Sequence, residues 1–242
     1  MTVTRTSDAV RCAEPRRPYS TFKLANALIG VDAGVYTSAD EPMRWDRKRV
    51  PDEKWYRDEW RKPQTLASAF KASAVPYFRT LALELGEPRM KKGLEKLGYG
   101  NQNIGGGLDK FWLSGDLRIS AVEQIKLVTA LAHGELHVSK HAQDVVREIS
   151  IIARDGDTVL HGKTGSGPIE GSKDDEKRWL LWQVGWVEHG AEIKPYAAWM
   201  EVSGKDFDAA RAIRQKRIDD TLAALGWFAA PTSTPAAGGA KP

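Results

Sequence analysis

The sequence predicts an α+β fold, with helices first, strands late and one long helix to close. Apolar residues recur at helical spacing through the first half of the chain. Short tryptophan- and valine-rich segments appear only after Ser150, and a helical stretch from Ala209 to Leu225 follows them. At 242 residues with 41% apolar composition, the chain is long enough for one domain with a substantial core.

In order, the polar opening residues lead to a turn marked by Pro15 and Pro18. The segment from Ser20 is apolar on nearly every side and predicts a short buried helix stopped by Gly30 or Gly34. Ser38 to Pro63 is charged, carries tryptophans and predicts a loop. Helices are expected over Thr65 to Leu85, with Pro76 as a break, and over Pro88 to Leu97. Gly98 to Gly107 is expected to be loop. From Ser120 to His133 the pattern is amphipathic, and Ser120 with Glu123 three residues on forms a capping box. Strands are expected at Asp157 to His161, Trp179 to Glu188 and Tyr196 to Val202. One domain over 1–228 and a disordered Pro/Ala/Gly/Thr-rich tail over 229–242 complete the reading.

Composition narrows the function. Lys plus Arg number 36 against 32 for Asp plus Glu. The basic clusters at Arg44 to Arg49 and Arg57 to Lys62 are interrupted by Asp46, Asp52, Glu53, Asp58 and Glu59, which predicts a solvated mixed face and no nucleic-acid partner. No apolar run is long enough to span a membrane. Cys12 is the single cysteine, so no intramolecular disulfide forms.

Two S-x-x-K motifs stand in the chain, Ser20-Thr21-Phe22-Lys23 and Ser68-Ala69-Phe70-Lys71. Residues three apart share a helix face, so either places a hydroxyl beside an amine. Ser20 is the expected nucleophile because a proline-bounded turn delivers it to the start of an apolar helix, where the helix dipole favours an oxyanion. Ser68 reads as mid-helix, with its hydroxyl free to bond a backbone carbonyl. Lys163-Thr164-Gly165 follows the expected strand near Thr158 to Leu160. S-x-x-K followed by K-T-G is a catalytic pair of penicillin-recognising enzymes.

The stretch PYSTFKLANALIGVDAGV, the S-x-V element Ser73-Ala74-Val75, the Y-G-N element Tyr99-Gly100-Asn101, NQNIGGGLDKFWLSGDLRISAVEQ, HGKTGSG and QVGWVE together resemble the class D serine β-lactamases, from about Thr6 to Phe228. The resemblance implies the penicillin-recognising transpeptidase-like fold, an antiparallel sheet flanked by helices beside a helical subdomain. It implies hydrolysis of a β-lactam amide through a Ser20 acyl-enzyme. Lys23 would be carboxylated by carbon dioxide and act as general base. Phe22, Val75, Trp112 and Leu113 would surround it, with the Trp112 indole donating to the carbamate. Ser73 would carry a proton to the departing nitrogen. Lys163, Thr164 and Gly165 would line the substrate, Arg211 would hold its carboxylate, and the Ser20 and Ser166 backbone N–H groups would form the oxyanion hole. No metal or organic cofactor is implied. A periplasmic location is, and a homodimer is among the assemblies the family allows.

The chain departs from the family at Arg47, where W-D-G is usual, and in a longer, more charged segment between Trp45 and Ser73. The charged loop from Gly167 to Arg178 also borders the cleft, so the sequence leaves the substrate spectrum open. The family's signal peptide and two N-terminal strands precede a polar loop that here begins almost at Met1, and Met1 to Val10 is polar. That leads to the expectation of an upstream start codon, or of a poorly folded chain whose sheet lacks cover near Trp182 to Val187.

Other motifs lead elsewhere. His133, His137 and His141 repeat every four residues around Glu135, but the order is not H-E-x-x-H and Gly134 interrupts the helix, so no metal is expected. Gly165-Ser166-Gly167 is followed by Pro168, which denies the helix start that a phosphate loop needs. Two other functions use the same motifs. One is a β-lactam sensor domain that is acylated without turnover. The other is a peptidoglycan D,D-peptidase, against which Y-G-N and F-W-L argue.

Overall fold

The computed structural model describes residues 6–169, 178–203 and 207–228. The order of elements is the expected one: helices, then a sheet, then a closing helix. A short α1 (Ala9–Ala13) leads to a 3-10 turn (Tyr19–Phe22) that runs directly into α2 (Lys23–Asp32). Then come α3 (Leu66–Ala72), α4 (Val75–Leu97), α5 (Ala121–His133) and α6 (Lys140–Ile149). Strands β1 (Ile151–Asp155), β2 (Thr158–Pro168), β3 (Arg178–His189) and β4 (Glu192–Ser203) precede α7 (Phe207–Ala224).

The strands form one antiparallel sheet in the order β1-β2-β3-β4. Alternation along β3 sends Leu180, Trp182, Val184 and Trp186 into the main core on the helical side, where α5 packs. Val187 and Leu160 face the other way, against Ile218, Leu222 and Phe228. The helical subdomain is built on α2, whose residues Lys23 to Val31 are all buried and which packs on α4 and α6. Gly30 lies inside this helix instead of ending it. A Cβ there would touch Leu81 at 3.0 Å, so the glycine lets α2 and α4 approach closely.

Several boundaries differ from those expected. The break near Pro76 falls at Ser73, in the left-handed region (φ 57, ψ 37), while Pro76 sits in the first turn of α4, where its missing N–H costs nothing. The expected helices over 65–85 and 88–97 meet in α4 across a kink at Gly86 (φ 75). Lys163-Thr164-Gly165 lies inside β2, not after it. Ser68 sits in the first turn of α3, not mid-helix, in a capping box with Thr65. β1, α1 and α6 were not foreseen: two are five residues long and the third begins at the end of the histidine repeat. His133 ends α5, His141 opens α6, and His141 Nε2 meets the Thr37 carbonyl at 2.6 Å.

Residues Trp182 to Val187 lie in a strand paired on both sides, with Trp182 opposite Gly165 and Trp199, so the expectation of uncovered backbone there does not hold. β4 takes the edge instead, with β3 as its strand partner among the described residues. The tail 229–242 lies outside the described residues.

Candidate active site

Ser20 stands where the sheet meets the helical subdomain. The chain reaches it through a fixed turn: the Tyr19 amide donates to the Trp112 carbonyl (3.1 Å), the Trp182 indole N–H to the Arg17 carbonyl (3.0 Å), and the Arg17 guanidinium to the Gly115 carbonyl (2.8 Å). Thr21 is buried, donates to the Pro18 carbonyl at 2.8 Å and accepts from Gln124 at 2.9 Å. β2 lies against this turn because its residues are small. A Cβ on Gly165 would stand 2.6 Å from the Pro18 oxygen and 2.9 Å from the Thr21 nitrogen, and one on Gly167 would enter the Tyr19 ring. Glycine at these positions of K-T-G-S-G therefore brings the strand to the serine. The Tyr19 hydroxyl donates to the Pro168 carbonyl and closes the contact.

Lys23 is fully buried, and its Nζ lies 2.8 Å from Ser20 Oγ. Burial first, and the charge of Lys163 second, hold its pKa well below the usual lysine value. Its surroundings are apolar. The Phe22 ring meets Trp112 at 5.1 Å, tilted, and Phe111 edge-on at 5.0 Å, Val75 is buried, and Nζ lies 5.4 Å from the Phe78 ring centre. The Trp112 indole N–H is buried with no hydrogen-bond partner among the described residues. Such a donor costs about 1–3 kcal/mol unless something accepts from it.

Ser73 and Lys163 form a second pair. Lys163 Nζ donates to Ser73 Oγ and to the Thr164 carbonyl, both at 3.1 Å, and lies 5.6 Å from the Phe70 ring centre. Burial, joined by Arg214, Arg211 and Arg57, lowers Lys163 to about 7. The cleft in front has a volume of about 1160 Å³, and Ser20, Ser73, Val75, Leu113, Thr164, Ser166 and Arg211 are among its lining residues. The sequence-derived residues therefore converge.

Arg211 stands apart from the rest. It lines the rim and pairs with Asp208 at 3.2 Å, with 37% of its side chain exposed. One helical turn further, Arg214 is buried and reaches Ser166 Oγ at 3.3 Å. Sequence reasoning also missed Phe78, although its spacing from Val75 (i, i+3) places both on one face of α4. Phe70 gave itself away only as part of the second S-x-x-K motif. Among the described residues no group of histidine, cysteine, aspartate or glutamate could hold a metal ion.

Comparison with known proteins agrees with this geometry. A model of the penicillin binding protein transpeptidase domain matches residues 4–218. β-Lactamase OXA-10 of Pseudomonas aeruginosa is 40% identical over 200 residues, 83% of this chain and 72% of that protein. β-Lactamase OXA-48 of Klebsiella pneumoniae is 36% identical over 202 residues, covering 83% and 72%. The regulatory protein BlaR1 of Bacillus licheniformis is 30% identical over 171 residues, 71% of this chain and 27% of that protein. Among solved structures, the class D β-lactamase FUS-1 (OXA-85) of Fusobacterium nucleatum subsp. polymorphum superposes with a TM-score of 0.80 at 35% identity, covering 91% of this chain and 86% of that one. With Ser20 beside a buried lysine and the K-T-G strand packed against its turn, the chain belongs to the class D serine β-lactamases, within the penicillin-binding-protein transpeptidase family.

Proposed function

We propose that the chain hydrolyses the β-lactam amide of penicillins and related antibiotics through an ester on Ser20, with Lys23, carboxylated on Nζ, as the base. The observation that carries this reading is a fully buried lysine 2.8 Å from the serine hydroxyl, in a site whose buried indole N–H is unused. Only a neutral amine adds to carbon dioxide, releasing one proton, and burial lowers the Lys23 pKa toward that neutral form. The carbamate supplies a carboxylate base at the serine, and Trp112 has the free donor to hold it.

Ser20 Oγ then attacks the lactam carbonyl carbon and gives its proton to Lys23. The oxyanion rests on the backbone N–H groups of Ser20 and Ser166. The carbon–nitrogen bond breaks, and the proton that Lys23 took from Ser20 passes to the nitrogen through Ser73, which Lys163 holds in place, leaving Lys23 free to act as base again. Water, deprotonated at Lys23, attacks the ester and returns Ser20 Oγ with its proton. Thr164 and Gly165 line the substrate. Arg214 is the better-placed anchor for the substrate carboxylate, because it reaches Ser166 on the K-T-G strand, and Arg211 serves the rim. The same reading places the enzyme in the periplasm.

A burst assay with a chromogenic cephalosporin, with and without bicarbonate, tests this. Many turnovers per chain, faster with bicarbonate after acid treatment and degassing, are expected. One stoichiometric acylation without turnover would favour the sensor reading, and no acylation would refute both.

A further inference from the structure

The segment between Trp45 and Ser73, longer and more charged than in the family the sequence resembles, folds into a compact wall of the cleft. Its 3-10 turn (Asp58–Arg61) buries Trp60, whose ring meets those of Tyr56 and Trp55, each at 5.7 Å. The wall is tied to α4 by Arg79, which is buried, pairs with Glu53 and with Asp109 (2.6 Å), and donates to the Tyr56 hydroxyl at 2.7 Å.

From this wall the Trp60 indole N–H donates to the Ala72 carbonyl at 2.9 Å. That carbonyl belongs to the peptide that enters Ser73. Turning a peptide plane changes ψ of the residue before it and φ of the residue after it. Fixing the Ala72 oxygen therefore fixes φ of Ser73, which at 57° lies in the left-handed region that costs a non-glycine residue free energy. The Ser73 amide bonds the Phe70 carbonyl at 3.1 Å, and the Ala74 amide bonds Ala69 at 2.8 Å. On the far side of the turn, Tyr77 donates to the Lys62 carbonyl at 2.6 Å. The wall thus grips both flanks of the Ser73 turn, and that turn sets where Ser73 Oγ accepts from Lys163.

We propose that Trp60 is a positioning residue for the reaction: its indole N–H locks the Ala72–Ser73 peptide and so holds Ser73 Oγ on Lys163. This rests on the role given to Ser73 above. Trp60→Phe keeps the aromatic packing and removes the donor, and one lost hydrogen bond of ordinary strength corresponds to about fivefold. The test is a double-mutant cycle on the acylation rate with Trp60→Phe, Ser73→Ala and the pair, checked by thermal melting. Trp60→Phe is expected to slow acylation about fivefold, with KM changed less than kcat, and to have no further effect in the Ser73→Ala background. Multiplying effects, or a Trp60→Phe rate equal to that of the unaltered chain, would overturn the proposal. If Ser73→Ala itself acylates normally, the role of Ser73 fails instead, and the coupling proposed for Trp60 fails with it. Trp60→His, whose ring keeps an N–H, should retain more activity than Trp60→Phe. Equal losses would point to bulk instead of the donor and would also overturn it. Should Trp60→Phe accumulate poorly, the cycle is read with Trp60→Tyr.

Discussion

Two S-x-x-K turns face the same cleft, and they differ in almost everything except sequence. Ser20 is half-buried at the entry to a buried helix, with Lys23 wholly enclosed beside it. Ser68 is exposed, donates to Gln64 Oε1 at 2.6 Å and accepts from the Thr65 amide at 2.9 Å, while Lys71 points into solvent from the last turn of α3. The first serine has its hydroxyl on an amine whose pKa burial lowers. The second spends its hydroxyl on capping a helix. Spacing brings a serine and a lysine together, but chemistry requires the removal of water from the lysine.

The largest expected effect lies on this contrast. Ser20→Ala should reduce hydrolysis at least about 10³-fold, the scale seen when a nucleophile is lost. Steady-state rates checked against the unaltered chain would break the comparison if Ser20→Ala kept its activity and Ser68→Ala lost it.

Lys23→Ala should still acylate slowly and then hold the ester, so that intact-mass analysis finds the adduct persisting for hours. Lys71→Ala should turn over like the unaltered chain. Full turnover by Lys23→Ala would remove the base from the reading.

Trp112→Phe tests the enclosure itself. Loss of the unpaired indole N–H should raise the bicarbonate concentration needed for half-maximal rate by about fivefold or more. An unchanged bicarbonate requirement would mean that the donor serves something else.

The buried lysines also make stability depend on pH. Lys163 is lowered from 10.5 to about 7, mainly by burial and further by its arginine neighbours. Between those values the unfolded chain binds a proton that the folded chain does not, so stability from this group rises with pH across that window. Below about pH 7 the buried charge is at its most costly. Lys163→Met should therefore raise the melting temperature more at pH 6 than at pH 9, and calorimetry showing an equal change at both would contradict the burial effect. The smallest change belongs to the second motif: Ser68→Ala should keep the rate within about twofold and cost roughly 0.5–1 kcal/mol of stability through the lost hydrogen bond from the Thr65 amide.

How much of this was legible in the sequence depends on the kind of information each feature needs. The α+β order, α5 with its capping box, β3 and α7 follow from local periodicity and were readable. Ser20, Lys23, Ser73, Trp112 and Lys163 were readable because the resemblance rests on unbroken motifs. The capping role of Ser68 depends on Thr65, whose spacing is local, yet the long helix expected from Thr65 hid it. The choice among the arginines of α7 was open for another reason. Arg211, Arg214 and Arg217 lie on one long helix, and only the placement of α7 against the sheet decides which one reaches Ser166. The strand limits around Lys163 were similarly tertiary: pairing with β3 extends β2 through glycines that carry little strand preference of their own.

The most direct measurement is to locate the acyl group. The Lys23→Ala chain is treated with benzylpenicillin, digested, and its peptides mapped by mass spectrometry. The adduct is expected on the peptide containing Ser20 alone, with the Ser68 peptide unmodified. Adduct on Ser68, or an equal division between the two serines, would contradict the claim that enclosure of the lysine is what separates one motif from the other.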